Sequence, residues 1–120
     1  MASSAEEFKK RTKAFAVRVM RLVDALPPQT SAQVIGKQLF RAASSVAANY
    51  RAACRGRSKA EFAAKLGIVE EEADECGFWL EMLIESGLVA ETMLRPLCQE
   101  AHEITTMVVA SIRTARSSKQ

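Results

Sequence analysis

Apolar positions along the chain return every three or four residues in four long stretches, the period of helices that bury one side. In the first, Phe8, Phe15, Val19, Leu22 and Leu26 form one stripe, with Lys9, Lys10, Lys13, Arg18 and Arg21 filling much of the remainder. Ser4 followed by Glu7 fits a capping box, so a helix is expected over about 4–26. Pro27-Pro28 ends it, because proline has no N–H and forces the preceding residue out of helical geometry.

A second helix is expected over about 31–54, capped by Thr30 with Gln33 or by Ser31. At about 100° per residue, Ile35, Leu39, Ala42, Ala43, Val46, Tyr50 and Ala53 share one face. Lys37, Arg41, Arg51 and Arg55 fall within an arc of about 80° opposite it. Ala42, Ala43, Ala47, Ala48, Ala52 and Ala53 let a neighbouring helix approach closely, whether from the same chain or another subunit.

The basic turn Arg55-Gly56-Arg57 leads into Ser58-x-x-Glu61, the clearest capping box in the chain. A third helix over about 58–86 follows, and Gly87 is placed to close it in left-handed geometry. Phe62, Leu66, Val69, Ala73, Cys76, Leu80 and Leu83 alternate by four and three, the seam of knobs-into-holes packing. The other faces carry Glu70, Glu71, Glu72, Asp74, Glu75, Glu81 and Glu85. Phe78 and Trp79 stand beside that seam and are expected in core or interface packing. A fourth helix over about 91–116 uses Leu94, Leu97, Ala101, Ile104, Val108 and Ala115, with Pro96 expected near its first turn. Four helices of similar length with short links imply an all-α, antiparallel up-down four-helix bundle, one domain over residues 1–120.

Composition agrees: five glycines and three prolines leave few turns for a β-sandwich, and helix-favouring residues dominate. No apolar run approaches the roughly 18 residues of a membrane span, and the N-terminus lacks the apolar stretch of a secretory signal, so a cytoplasmic protein with no membrane association is expected. Three widely spaced cysteines and the lone His102 give neither a disulfide framework nor a zinc site. Glu100 and Glu103 lack the Glu-x-x-His partners of a di-iron bundle, and no serine has a base or glycine elbow beside it. No catalytic residue, metal site or cofactor is therefore expected.

Charge alters the picture. Residues 1–57 hold eleven Lys/Arg against three Asp/Glu, residues 58–91 two against nine, and residues 92–120 four against two, giving +8, −7 and +2. The small total hides two strongly charged regions. Such separation can steer a polyanion to one face, join unlike faces of two subunits, or neutralise itself within one bundle.

Gln38-Leu39-Phe40-Arg41-Ala42-Ala43-Ser44-Ser45-Val46-Ala47-Ala48-Asn49, then Arg57-Ser58-Lys59-Ala60-Glu61-Phe62 and Leu66-Gly67-Ile68-Val69-Glu70-Glu71, resembles the bacterial four helix bundle proteins, also called 23S rRNA-intervening sequence proteins, over roughly residues 6–115. The resemblance implies an antiparallel bundle that assembles as a homopentamer; a related branch, the accessory proteins of diversity-generating retroelements, binds a reverse transcriptase and nucleic acid. Where many members read Ile-Ala-Glu-Gly after the asparagine, this chain reads Tyr50-Arg51-Ala52-Ala53, which extends the helix and strengthens its basic stripe. Two readings follow. One is a non-enzymatic homo-oligomer whose Lys37, Arg41, Arg51, Arg55 and Arg57, helped by the first helix, contact RNA or another polyanion. The other is a scaffold that self-assembles and docks a protein partner through its charged faces, without nucleic acid.

Overall fold

The computed structural model describes residues 5–117, which form four helices: α1 (Ala5–Asp24), α2 (Thr30–Ala53), α3 (Lys59–Glu85) and α4 (Glu91–Ser117). Ser4, the expected cap of α1, lies outside the described residues. Ahead of Pro27 the α1 backbone tightens, the N–H groups of Ala25 and Leu26 donating to Leu22 and Val23 at 3.0 and 3.2 Å. The helix thus stops two residues short of the expected end, through shorter-range bonds that satisfy its last carbonyls.

The cap expected from Thr30 or Ser31 is not what starts α2. Its N-cap is Gln29, without a side-chain cap bond, and Gln33 donates instead to the Pro27 carbonyl at 3.0 Å, tying the helix to the preceding turn. Ser58 does cap α3: its hydroxyl accepts the Glu61 N–H at 3.0 Å, and the Glu61 carboxylate accepts the Arg57 N–H at 2.7 Å. Gly87 closes α3 with φ at 77°, a conformation that costs a residue with a Cβ. Pro96 sits in the second turn of α4 rather than the first. It removes the donor for the Thr92 carbonyl, and both residues lie at the exposed surface where solvent can replace that bond.

Helices α1 and α2, α2 and α3, and α3 and α4 pack as sequential neighbours; α1 and α4 meet over a smaller area to complete the ring. The contacts Phe8–Tyr50 at one end of α1 and Gly36 against Val23 and Leu26 at the other fix α1 and α2 antiparallel. The result is a rod of 52 × 22 × 20 Å around one apolar cluster containing Phe15, Leu39, Val46, Leu66, Leu80, Leu94 and Ile104. The small residues of α2 divide: Ala42, Ala43 and Ala53 are buried within the chain, whereas Ala48 is exposed. A Cβ at Gly36 would lie 2.9 Å from Leu26 Cδ1, and Ala43 is fully buried.

Among the expected core positions, Leu22, Leu26 and Phe62 are half-buried and Ala115 is partly open. Ile112 takes the corresponding place at the end of α4. Thr12 is buried as well; its hydroxyl donates to the Lys9 carbonyl at 3.1 Å, which lets a polar residue sit in the α1 stripe.

Candidate nucleic-acid interface

The five cations expected to form one stripe divide according to their neighbours. Lys37, Arg51 and Arg55 are exposed and make no ion pair among the described residues. Arg41 is engaged: Nη2 lies 2.5 Å from Glu75 Oε2 and Nη1 3.3 Å from Glu72 Oε2, while Nε donates to Gln38. It sits at the edge of the basic arc nearest α3, so its charge is spent joining two helices. The Glu75 carboxyl is held below the usual carboxylate range, first by the Trp79 indole N–H at 3.0 Å and then by Arg41. Arg57 is 90% exposed and lies 3.8 Å from Glu61, too loose to neutralise it.

Arg51 joins a basic surface whose larger part comes from α1. A groove of about 520 Å³ runs between α1 and α2, floored by Ala16, Ser44, Ala47 and Ala48 and edged by Lys9, Lys10, Lys13 and Arg51. The small floor residues are what open it, since larger side chains there would fill the space between the helices. Glu6 stands at one end, paired to Lys9 at 2.9 Å, which holds its carboxyl low. On the outer side of α1, Lys10, Lys13, Arg18 and Arg21 surround the exposed Ala14 and the half-buried Val17. Arg55, one turn beyond Arg51, edges a second groove of about 480 Å³ between α2 and α3, shared with Arg57, Lys65 and Ile68.

Arg51 and Arg55 therefore form a ridge between two cationic grooves. Neither groove is lined by an aromatic ring, so the surface offers charge to phosphates but no platform on which bases stack. Tyr50, next to Arg51 in the chain, turns inward. Its ring meets Phe8 edge-on at 4.7 Å, and burial, then the neighbouring Cys54, pushes its hydroxyl pKa upward.

Lys10 and Lys13 carry weight that the sequence reading gave only to the first helix in general. Their recurrence with Val17 and Arg21 at three- and four-residue spacing was the available signal. On α3, by contrast, Glu71, Asp74, Glu81 and Glu85 make no ion pair among the described residues. His102 is exposed beside a cleft of about 230 Å³ shared with Asp74, Glu81 and Cys98, and makes no hydrogen bond among the described residues. Among those residues no group of three or more His, Cys, Asp or Glu is arranged to hold a metal ion. None of the described helices is long and apolar enough to cross a membrane.

Four helices in sequential contact around one apolar seam, with cations gathered on α1 and α2 and carboxylates on α3, define an all-α four-helix bundle with segregated charge. Residues 6–110 match the model of the 23S rRNA-intervening sequence proteins, and the chain belongs to that family. It is similar to a crystallised protein with unknown function from the S23 ribosomal protein family of Bacteroides thetaiotaomicron. The two share 30% sequence identity over 91% of this chain and 97% of that one, with a TM-score of 0.84. No curated protein matches the chain.

Proposed function

We propose that this protein is a non-enzymatic, cytoplasmic bundle whose α1–α2 layer binds RNA or another polyanion through its phosphates. The observation that carries this reading is the set of cations around the α1–α2 groove, Lys10, Lys13 and Arg51, with Arg55 one turn on, none in an ion pair among the described residues. Cations spent on internal pairs, as Arg41 is, release nothing when a phosphate arrives; unpaired ones do.

Four phosphate contacts on a single strand give a slope of about −3 in log affinity against log salt, or about a 50-fold loss between about 50 and 200 mM. Filter binding of single-stranded RNA reads this directly. Lys13→Glu with Arg51→Glu abolishes retention at low salt on this reading, while Arg41→Gln leaves affinity within about twofold. No retention by the wild type at low salt, or unchanged binding by the double reversal, defeats it.

Charge segregation favours a second reading, a scaffold that self-assembles, because the unpaired carboxylates of α3 complement the unpaired cations of α1 and α2 on another copy. The family resemblance points the same way, toward a homopentamer. Light scattering with and without salt, followed by RNA binding on the same sample, separates the two: an assembly that loosens in salt, becomes monomeric when Lys13 and Arg51 are reversed and retains no RNA supports the scaffold; a mass indifferent to both speaks against it.

A further inference from the structure

Helix α2 stands at a corner of the bundle, for it packs against α1 and α3 and these do not pack against each other. With neighbouring axes about 8–10 Å apart, a corner helix projects about 6 Å beyond the line joining its two neighbours. At about 100° per residue, Arg51 and Arg55 lie about 40° apart on the outward crest of α2, with the exposed Ala48 beside them. Ala47 and Ala52 fall about 140° apart on its two shoulders, the first in the groove against α1 and the second in the groove against α3. Each shoulder carries cations from beyond the crest: Lys10 and Lys13 on one, Lys65 and the turn residue Arg57 on the other. Lys10, Lys13 and Lys65 make no ion pair among the described residues.

Carboxylates do not close this surface. Glu6 ends the first groove bound to Lys9, and Glu61, the acid of the second, accepts the Arg57 N–H. Glu72 and Glu75, further along the α2–α3 seam, are held by Arg41. Asp74 and Glu81 lie about 120–140° around α3 from Ile68 and line the cleft against α4. The cationic stretch thus occupies the end of the rod where α2 turns into α3.

Resting on the polyanion reading above, we infer that the α2 corner enters the major groove of double-stranded DNA, each of its cationic shoulders meeting one phosphate backbone. The B-form major groove is about 12 Å wide and about 8.5 Å deep, and an α-helix with its side chains is about 10–12 Å across. The crest therefore fits between the strands while the shoulders reach them. Arg51 and Arg55 then face base edges, where guanine offers two acceptors to one guanidinium. A-form RNA presents a deep, narrow major groove and a shallow minor one, and neither admits a crest about 6 Å high. Single strands are held largely by stacking on aromatic rings, and no such ring lines either groove.

Fluorescence anisotropy of the full-length protein tests this against three labelled probes of equal length, about two helical turns: duplex DNA, duplex RNA and single-stranded DNA. The expected result is that duplex DNA binds at least about tenfold more tightly than either of the others. Four shoulder contacts on the duplex give a slope of about −3.6 in log affinity against log salt. Arg57→Gln with Lys65→Gln, both exposed and checked for unchanged circular dichroism, halves that slope to about −1.8, while single-stranded RNA, held by the α1–α2 groove, loses less than about twofold. Equal or tighter binding of single-stranded DNA or of duplex RNA overturns the proposal and leaves the polyanion reading standing. An unchanged duplex slope in the double variant, or an equal loss on single-stranded RNA, overturns it as well. A protein that retains no nucleic acid at low salt defeats both.

Discussion

Arg11 on α1 grips Glu100 on α4 with two parallel hydrogen bonds, Nε to Oε2 at 2.7 Å and Nη2 to Oε1 at 2.9 Å. The same Nη2 reaches Glu103 at 2.6 Å, and Nη1 lies 3.1 Å from the Met107 sulfur. This fork closes the bundle along its least extensive helix pair. The Arg11 guanidinium is held charged even more firmly than usual, Glu100 being the main cause.

Replacing Arg11 by Met keeps the stem that packs between the helices but leaves two carboxylates facing each other. Arg11 is 33% and Glu100 17% exposed, so solvent screens the pair only in part. The expected loss is about 1–2 kcal/mol by urea unfolding, with Glu100→Gln costing a similar amount and the double variant less than the sum. Additive losses would mean that the fork contributes nothing as a pair.

The apolar stripes were legible because burial on one side of a helix leaves a period that local spacing reveals, and so was the Ser58 cap, whose partner is three residues away. The Arg11 fork was not, because its partners lie 89 and 92 residues distant and nothing local couples them. The basic surface was legible only in outline. A helical projection places Arg41 and Arg51 on one arc, but only the position of α3 makes Arg41 an internal tether and leaves Arg51 free. Phe78 was expected in core or interface packing beside the seam, yet at about 100° per residue it falls nearly opposite Cys76 and Leu80, and it is exposed.

Acid tests both inter-helix tethers. Glu103 is held below the usual carboxylate range by Gln99 and then Arg11, as Glu75 is by Trp79 and then Arg41. A carboxyl whose folded pKa is depressed adds stability that is complete above its unfolded value, about 4.5, and lost as pH falls through the folded one. The urea midpoint is therefore expected to hold from neutrality to about pH 4.5 and to decline below it. In a variant carrying Arg11→Met and Arg41→Gln the decline is shallower; an identical acid profile would place its cause elsewhere.

Three glycines separate conformational from steric effects. Gly67 and Gly77 lie within α3 with nothing inside 4 Å of an added Cβ. Alanine at either is expected to stabilise by about 0.5–1 kcal/mol, since only the excess freedom of the unfolded glycine is removed. Gly87 has open space too, yet its φ of 77° makes Gly87→Ala destabilising by about 1 kcal/mol. Thermal unfolding distinguishes them by sign, with shifts of about 4 °C per kcal/mol.

Thiol reactivity separates Cys76 from Cys98 by their surroundings. Cys76 is buried in the seam of α3, and burial pushes its pKa up to about 12, with Glu72 and Glu75 adding to the effect. Cys98 is half-buried and its pKa is also raised by burial, whereas Cys54 lies half-buried beside the α2–α3 turn. A thiol reagent at about pH 8 is expected to modify Cys98 slowly and to leave Cys76 untouched until urea unfolds the chain, because only the thiolate attacks. The same shift has a thermodynamic counterpart. An acid whose folded pKa lies above its unfolded value contributes stability that is complete below the unfolded value, about 9, and is lost as pH rises toward 12. Cys76→Ala makes the alkaline decline shallower, leaving the shares of Tyr50 and Cys98, even though it lowers stability at neutral pH by leaving a small void. Fast labelling of Cys76 in the folded protein would instead place local opening of the α3 seam well below global unfolding in free energy.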